Sequence, residues 1–496
     1  MKRLTHRIRI FSVVLAAAMS LTSAAASANG FYIQEMTAPG LGQAGAMVAA
    51  GEGPANQYWN AANLAYSKGF WFEAGLTTFI PISWYRNDVT GVKTYASDAP
   101  QPVPAAFASY RINDWLTVGI AEFTNFGLAI NWPKDWEGNH KIISSSMQTF
   151  TINPNIAFGP FKGFSIGVGF DAMYGNFKIK KALTLGLDDR PGNPLNLINL
   201  SGEAWGFGAN IGLMYQPVKW VRIGASYRTA IKIAADSGYV DFDVSEPWAA
   251  RFKDQRFSAE INLPHIVFLG VRFFPAKGFS LELDAQWIQW STWDTLKFKL
   301  SEGIPLGPTG KQDELSEVSK YHDAWQVRIG GEYRFFKNHF AVRAGFLWDQ
   351  NPASAQYLSP MLPDSNRVMP CISFGTEWAG FFIDVAYMPV FTLQRTVTWE
   401  GDGNNFPGTY KNITHDLTVS LGYHFDVVKG KARIPKYTDR EDEDNLTGSP
   451  DGAQPDDGVW AEDRSEPTTG EDQPEPEAQP VGEAEEVLQP EPSTAE

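Results

Sequence analysis

Apolar and polar residues alternate along most of this chain with a period of two. From Ser165 to Gly175, one face carries Ile166, Val168, Phe170, Ala172 and Tyr174, and the other carries Ser165, Gly167, Gly169, Asp171 and Met173. Trp325, Val327, Ile329, Gly331, Tyr333 and Phe335 likewise oppose Gln326, Arg328, Gly330, Glu332 and Arg334. Leu281, Leu283, Ala285 and Trp287 oppose Glu282, Asp284 and Gln286. This is the period of a strand with two unlike faces. It predicts strands at about 70–80, 104–111, 114–126, 147–158, 163–181, 199–216, 220–234, 257–274, 278–300, 321–336, 339–350, 367–378, 380–398 and 412–425, fourteen in all.

Connection lengths order these strands. Short turns at 112–113, 159–162, 217–219, 275–277, 337–338 and 379 alternate with connections of ten to twenty residues or more. An even number of strands, short turns at one end and long loops at the other form the pattern of an outer-membrane barrel. A soluble β-sandwich shares the alternation but turns its apolar face inward. Long runs, aromatic residues near run ends and a preceding secretion signal favour the barrel. The predicted fold is therefore all-β: a 14-stranded antiparallel transmembrane β-barrel over residues 69–425.

The two ends of the chain lack the alternation. Residues 1–28 combine a basic start, an apolar core from Ile10 to about Leu21 and Ala26-Ser27-Ala28, which reads as a cleavable signal peptide. Residues 29–68 are rich in small residues and have no long apolar run. Such a segment cannot bury enough surface to fold alone, so it is expected to be a plug, or hatch, in the barrel lumen. The last run closes on Leu417, Val419, Leu421, Tyr423 and Phe425, after which residues 426–496 read as a disordered acidic tail. Even strand parity places both termini on the short-turn, periplasmic side.

Charge and composition then narrow the function. The net charge is −15, but residues 439–496 hold 20 acidic and 2 basic residues, so the rest of the chain is nearly neutral. No basic nucleic-acid surface is evident. Past the N-terminus no run of 18 apolar residues occurs, which excludes a helical membrane protein. The one cysteine, Cys371, reads as packing.

Six motifs fall in order along this pattern. They are Gly40-Leu41-Gly42-x-Ala44 with Asn60-Ala61-Ala62-Asn63-Leu64; Ile112-Asn113-Asp114-Trp115 leading to Asn125-Phe126-Gly127-Leu128, Trp132 and Trp136-Glu137-Gly138; Asn153-Pro154-Asn155-Ile156-Ala157; Leu263-Pro264; Asp284-x-x-Trp287-x-x-Trp290-Ser291; and Arg343-Ala344-Gly345 through Trp348-Asp349-Gln350-x-Pro352 to Leu362-Pro363-Asp364-Ser365-x-Arg367. Over residues 29–425 they resemble the FadL/TodX (OMPP1) family of outer-membrane transporters for long-chain fatty acids and other hydrophobic compounds. The second hatch motif of that family usually reads Asn-Pro-Ala, and Ala61 stands in for its proline.

The resemblance implies capture of a hydrophobic molecule at outer loops, an internal pocket near the plug, and sideways release where the third strand kinks. Asn125, Phe126 and Gly127 would form that lateral gate, since glycine often marks a bulge. Leu128, Ile130, Trp132 and Trp136, with Ile142 and Ile143, either form a capture groove or pack loop on loop. Arg228, Arg328, Arg334 and Arg343 are candidates for holding a carboxylate headgroup, against the acids Glu282, Asp284, Glu332 and Asp349 on the same polar face. Pro363, Asp364, Ser365 and Arg367 carry the family motif.

The implied partners are the hydrophobic substrate, outer-membrane lipid and the barrel assembly machinery, around a monomer with no cofactor, metal or nucleic acid. The cargo stays open between fatty acids and aromatic hydrocarbons. Two rivals are a general diffusion porin, which would not set aside forty residues for a plug, and a surface hydrolase, for which no histidine has a nucleophile context.

Overall fold

The structure is a computed structural model that describes residues 30–185, 196–246, 248–306, 310–399, 406–428 and 431–433. The expected signal peptide and most of the acidic tail lie outside the described residues.

Fourteen antiparallel strands close on themselves among the described residues. They are β1 (Phe70–Arg86), β2 (Gln101–Asn113), β3 (Leu116–Phe123 and Gly127–Asn131), β4 (Ser144–Phe161), β5 (Phe164–Leu183), β6 (Asn196–Val218) and β7 (Val221–Arg228 and Ile231–Asp243). There follow β8 (Gln255–Leu263 and Ile266–Ala276), β9 (Phe279–Ile288 and Thr295–Leu306), β10 (Gly310–Val318 and Ala324–Phe335), β11 (Phe340–Asp349), β12 (Arg367–Trp378), β13 (Phe381–Thr392) and β14 (Gly408–Val428). Each pairs with its chain neighbour, and β14 returns to β1 from Phe70↔Phe425 to Arg86↔Thr409. No edge is left for another chain to join.

The period-two pattern maps directly onto the wall. Phe170, Phe207, Trp325, Tyr333, Val419 and Leu421 point outward and are exposed, while Asp171, Glu282, Asp284, Gln326 and Arg328 are buried in the lumen. An apolar exterior around a polar interior suits a wall facing lipid. Polar alternate positions on most strands therefore do not mark a solvent face.

Three features depart from the sequence reading. Residues 301–306 and 310–318, expected within a loop, instead lie in the paired upper parts of β9 and β10. Leu128 and Ile130, expected in a loop, lie on the second half of β3 and pair with Met147 and Ser145 of β4. β14 runs three residues past Phe425, and a short strand at Lys431–Arg433 folds back on it. In each case the backbone extends its ladder beyond the lipid-facing alternation, where the residue pattern no longer reports it.

Candidate functional site

The hatch is held against the wall by backbone contacts that small residues permit. Helix α1 (Ala38–Gly42) starts at a proline-containing turn and lies on β12 and β13. A methyl group at Gly40 would sit 2.4 Å from the Trp59 ring, and one at Gly42 would sit 2.1 Å from Ser373 Oγ. Leu41 packs with Leu347, Met369 and Cys371. Asn60 caps the short helix Ala61–Tyr66: its Oδ1 accepts from Ala62 N (3.0 Å), and its Nδ2 donates to Val48 O (2.9 Å) and Leu213 O (3.0 Å). The cap holds this turn without the family's proline, and Ala61 rests its backbone on Gly167. Asn63 accepts from Gly51 N and donates to Asn56 O and Met47 O. Lumen acids complete the anchorage, with Asp284 accepting from Met47 N (2.9 Å) and Val48 N (3.2 Å) and Glu282 accepting from Ala49 N.

β3 is interrupted at 124–126, between its two halves. The gap is occupied by the start of the hatch. Ile33 N donates to Asn125 O (3.0 Å), Gly127 N donates to Phe31 O (3.0 Å), and Tyr32 bridges to Phe126. Gly127 lets the hatch come close, since a methyl there would lie 2.6 Å from Ile33 Cδ1 and the isoleucine would have to shift. Thus three residues of the hatch supply the backbone partners that the broken strand would otherwise lack.

That segment is in turn clamped by the late motif. Gly30 N donates to Asp364 Oδ2 (2.7 Å), while Arg367 Nη2 donates to Gly30 O and to Asp364 Oδ1 (both 2.9 Å). Ser365 N also donates to Asp364 Oδ1 (2.9 Å), and Pro363 leads into the turn half-buried. Phe31 is held edge-on by Trp290 and Trp293, each 4.8 Å away, and by Phe126 at 5.9 Å. Sequence reasoning missed Phe31, Tyr32 and the clamp. The available signal was the adjacent aromatics Phe31 and Tyr32 at the start of a stretch rich in small residues.

The four arginine candidates fall into different surroundings. Arg228 pairs with buried Asp171 and donates to Tyr58 O. Arg334 pairs with Glu332 (2.8 Å), and Arg343 pairs with Glu332 and Asp384 (both 2.6 Å). These last two line a polar cavity of about 820 Å³ at the short-turn end, below the hatch, together with Glu73, Arg272 and Gln43.

Arg328 differs from the other three. It is 1% exposed and has no ion pair among the described residues. Its Nη2 donates to the side-chain oxygens of Gln34, Gln286 and Gln326, while Nε and Nη1 have no partner. Gln286 Nε2 and Trp59 Nε1 are also unsatisfied. Asp284 is its ladder partner, but directs Oδ2 to the hatch amides.

The apolar residues after the gap are not laid open. Trp132 and Trp136 are 1% and 3% exposed and stack 4.7 Å apart. Trp132 Nε1 donates to Pro360 O, Trp136 packs on Tyr85 and Phe406, and Ile130, Ile142 and Ile143 are buried. Leu128 is half-buried.

Comparison with known proteins agrees with this architecture. The family model for outer membrane protein transport protein (OMPP1/FadL/TodX) matches residues 19–425. The long-chain fatty acid transport protein of Escherichia coli O6:H1 is 28% identical over 402 residues, covering 74% of this chain and 86% of its own. Outer membrane protein P1 of Haemophilus influenzae is 22% identical over 462 residues, covering 84% and 90%. Among solved structures, a Pseudomonas aeruginosa FadL homologue has a TM-score of 0.70 at 19% identity, covering 80% of this chain and all of that one. The P. putida toluene transporter TodX has a TM-score of 0.61 at 15% identity, covering 79% of this chain and 100% of its own.

Proposed function

The chain belongs to the OMPP1/FadL/TodX family of outer membrane transport proteins, and from that premise we propose that it carries long-chain fatty acids inward and releases them sideways at the β3 gap. Membership makes it a transport protein of the Gram-negative outer membrane rather than an enzyme. The observation that carries the mechanism is the gap in β3, closed by Phe31–Ile33 of the chain's own hatch instead of by a neighbouring strand. A closure made of hatch backbone can be withdrawn without unzipping the barrel.

The way straight down is unsuited to such cargo. Below the hatch lies the cavity lined by Arg272, Arg334, Arg343 and Glu73, where these charged groups offer an alkyl chain less than the lipid beside the wall does. A lateral gap instead meets lipid. Arg328 favours an acid over a hydrocarbon, because its Nε and Nη1 have no partner and either can donate a charge-assisted hydrogen bond to a carboxylate. Gln34 and Gly45 of the hatch lie against this guanidinium, so a headgroup reaches it as the hatch shifts.

In this reading the barrel acts as a monomer, reaches the membrane through the barrel assembly machinery, and keeps both termini in the periplasm. Leu128, Ile130, Trp132 and Trp136 form the first contact surface at the outer mouth, after their packed cluster loosens. A second reading keeps the mechanism and changes the cargo to aromatic hydrocarbons, which the likeness of fold to a toluene transporter motivates.

The test is uptake of radiolabelled oleate and of toluene by cells producing the full chain or a variant lacking residues 30–58. Oleate uptake that requires the protein, with the deletion admitting small hydrophilic solutes, is the expected result. Toluene uptake alone would transfer the reading to hydrocarbons. Passage of sugars by the intact protein, with neither hydrophobe entering, would replace it with a porin.

A further inference from the structure

The wall has a second discontinuity, away from β3. β5 and β6 pair without interruption from Phe164↔Tyr215 to Leu183↔Asn196. β6 and β7 do not: their ladder rises from Val218↔Val221 to Asn210↔Arg228, stops, and resumes at Ser201↔Tyr239. Between these points residues 202–209 and 229–238 share no ladder pair. Thr229 bridges the lower end, its N donating to Ala209 O and its Oγ1 accepting from Ala209 N (both 2.9 Å).

What closes this stretch is packing. Ile231, Ile233 and Ala235 are 2%, 3% and 2% exposed and lie over glycines of β6. A methyl at Gly206 would sit 2.6 Å from Ile231 Cγ2 and 2.8 Å from the Lys232 carbonyl oxygen, and one at Gly208 would sit 2.7 Å from Ile231 Cγ1. Dispersion contacts over a floor without side chains have no preferred register, so the two surfaces can slide where a ladder would have to break bond by bond.

The part facing β6 is a distinct unit. The long-loop halves of β7, β8, β9 and β10 pair with one another, and each meets its lower half at a break: 229–230, 264–265, 289–294 and 319–323. Outward they carry exposed ion pairs, Lys232 with Glu260 (2.7 Å) and Lys297 with Glu314 (3.1 Å), which places this sheet in water above the lipid. Inward, Phe257 and Phe298 pack on Phe177 of β5 at 6.1 and 6.0 Å. Across the seam, Trp205 and Phe207 stand outward, 54% and 60% exposed, as residues of an interfacial girdle do. The seam therefore lies at the lipid–water boundary and backs onto an aromatic interior.

We propose that this seam is the inlet for apolar cargo: the four-stranded sheet swings on its breaks away from β6, and the molecule passes between Ile231, Ile233 and the glycine floor to the Phe177 cluster. The inlet rests on the reading of the chain as a carrier of apolar molecules. It places admission three to four strands round the wall from the β3 gap, on a route beside the packed tryptophans after β3 rather than through them.

A disulfide across the seam tests it. A Cβ on Gly202 would lie 3.5 Å from Ala235 Cβ, within the span of a disulfide, and 2.8 Å from the edge of Phe177. The variant G202C/A235C is made with Cys371→Ser so that no third thiol competes. G202C alone reports what displacing Phe177 does. Folding is checked by the mobility of unheated samples on gels, the stapled fraction by thiol labelling, and transport by oleate uptake with and without reductant.

Uptake by the stapled protein should fall about tenfold and return on reduction, with G202C alone unaffected by reductant. Stapled protein that transports as fast as reduced protein overturns the inlet. If the staple prevents folding, I231A/I233A decides: it should admit oleate about threefold faster, and an unchanged or lower rate counts against the seam. If the unaltered chain carries neither oleate nor toluene, the carrier reading fails and the inlet with it. If it does carry either and the staple has no effect, the inlet alone fails.

Discussion

Two interruptions of the barrel wall, at β3 and between β6 and β7, are closed by different physics. At β3 the missing partner is replaced by hatch backbone, through Ile33 N to Asn125 O and Gly127 N to Phe31 O, each 3.0 Å. Between β6 and β7 it is replaced by isoleucine side chains over glycines. A hydrogen-bonded closure has two states, made and broken, because an unpaired amide at membrane depth is costly. A packed closure can yield gradually. The first suits a latch that must hold until the hatch moves, and the second suits a surface that gives way to a greasy molecule pressing on it.

Breaking the latch should have the largest effect. Asp364→Ala removes the acceptor of Gly30 N and leaves Arg367 with the Gly30 carbonyl and, as its ion-pair partner, Asp349 at 3.9 Å. Losing one partner of a buried ion pair costs about 3–5 kcal/mol. A spin label near residue 31 should therefore become mobile, while the stapling yield of G202C/A235C stays as in the parent. A label that remains immobile would show that Phe31 is held by Trp290 and Trp293 alone.

Next comes the headgroup. Neither closure distinguishes an acid from a hydrocarbon, whereas Arg328, between them in the lumen, can. Arg328→Met keeps the volume and removes the donors. A charge-assisted hydrogen bond is worth about 1.5–3 kcal/mol, so oleate affinity should drop roughly ten- to a hundredfold while toluene is unchanged. Equal losses for both cargoes would make Arg328 a structural residue supporting Gln34 and the hatch.

How much of this could be read from the residues follows from what sets each feature. Strand number and facing were legible because lipid imposes strict alternation, as in Phe170 against Asp171. The interruption of β3 was expected at Asn125, Phe126 and Gly127 from the family resemblance, since the alternation itself reads as a strand ending at 126. The breaks in β7 to β10 were not, since Thr229-Ala230 and Pro264-His265 look like ordinary strand residues beside one proline. The seam depends on which glycines meet which isoleucines across two strands, and no single run carries that. Arg328 could not be separated from Arg228, Arg334 and Arg343 either, because the difference lies in partners up to 294 positions away, such as Gln34.

The smallest expected effect would show whether the two closures act together. Trp290 lies in the break of β9, inside the hinge line of the upper sheet, and is fully buried. Its ring fits against Gly30, where a methyl would lie 2.6 Å from Cζ2, and it meets Phe31 at 4.8 Å and Phe126 at 6.2 Å. One side chain thus touches both the latch and the hinge. Trp290→Leu keeps an apolar filler and loses the ring contacts, each worth about 0.5–1.5 kcal/mol. Coupled closures predict that this variant speeds both label motion at residue 31 and disulfide formation across the seam, by a few fold each. Faster label motion with an unaltered stapling rate would mean that the hinge does not feel the latch, and that inlet and outlet open independently.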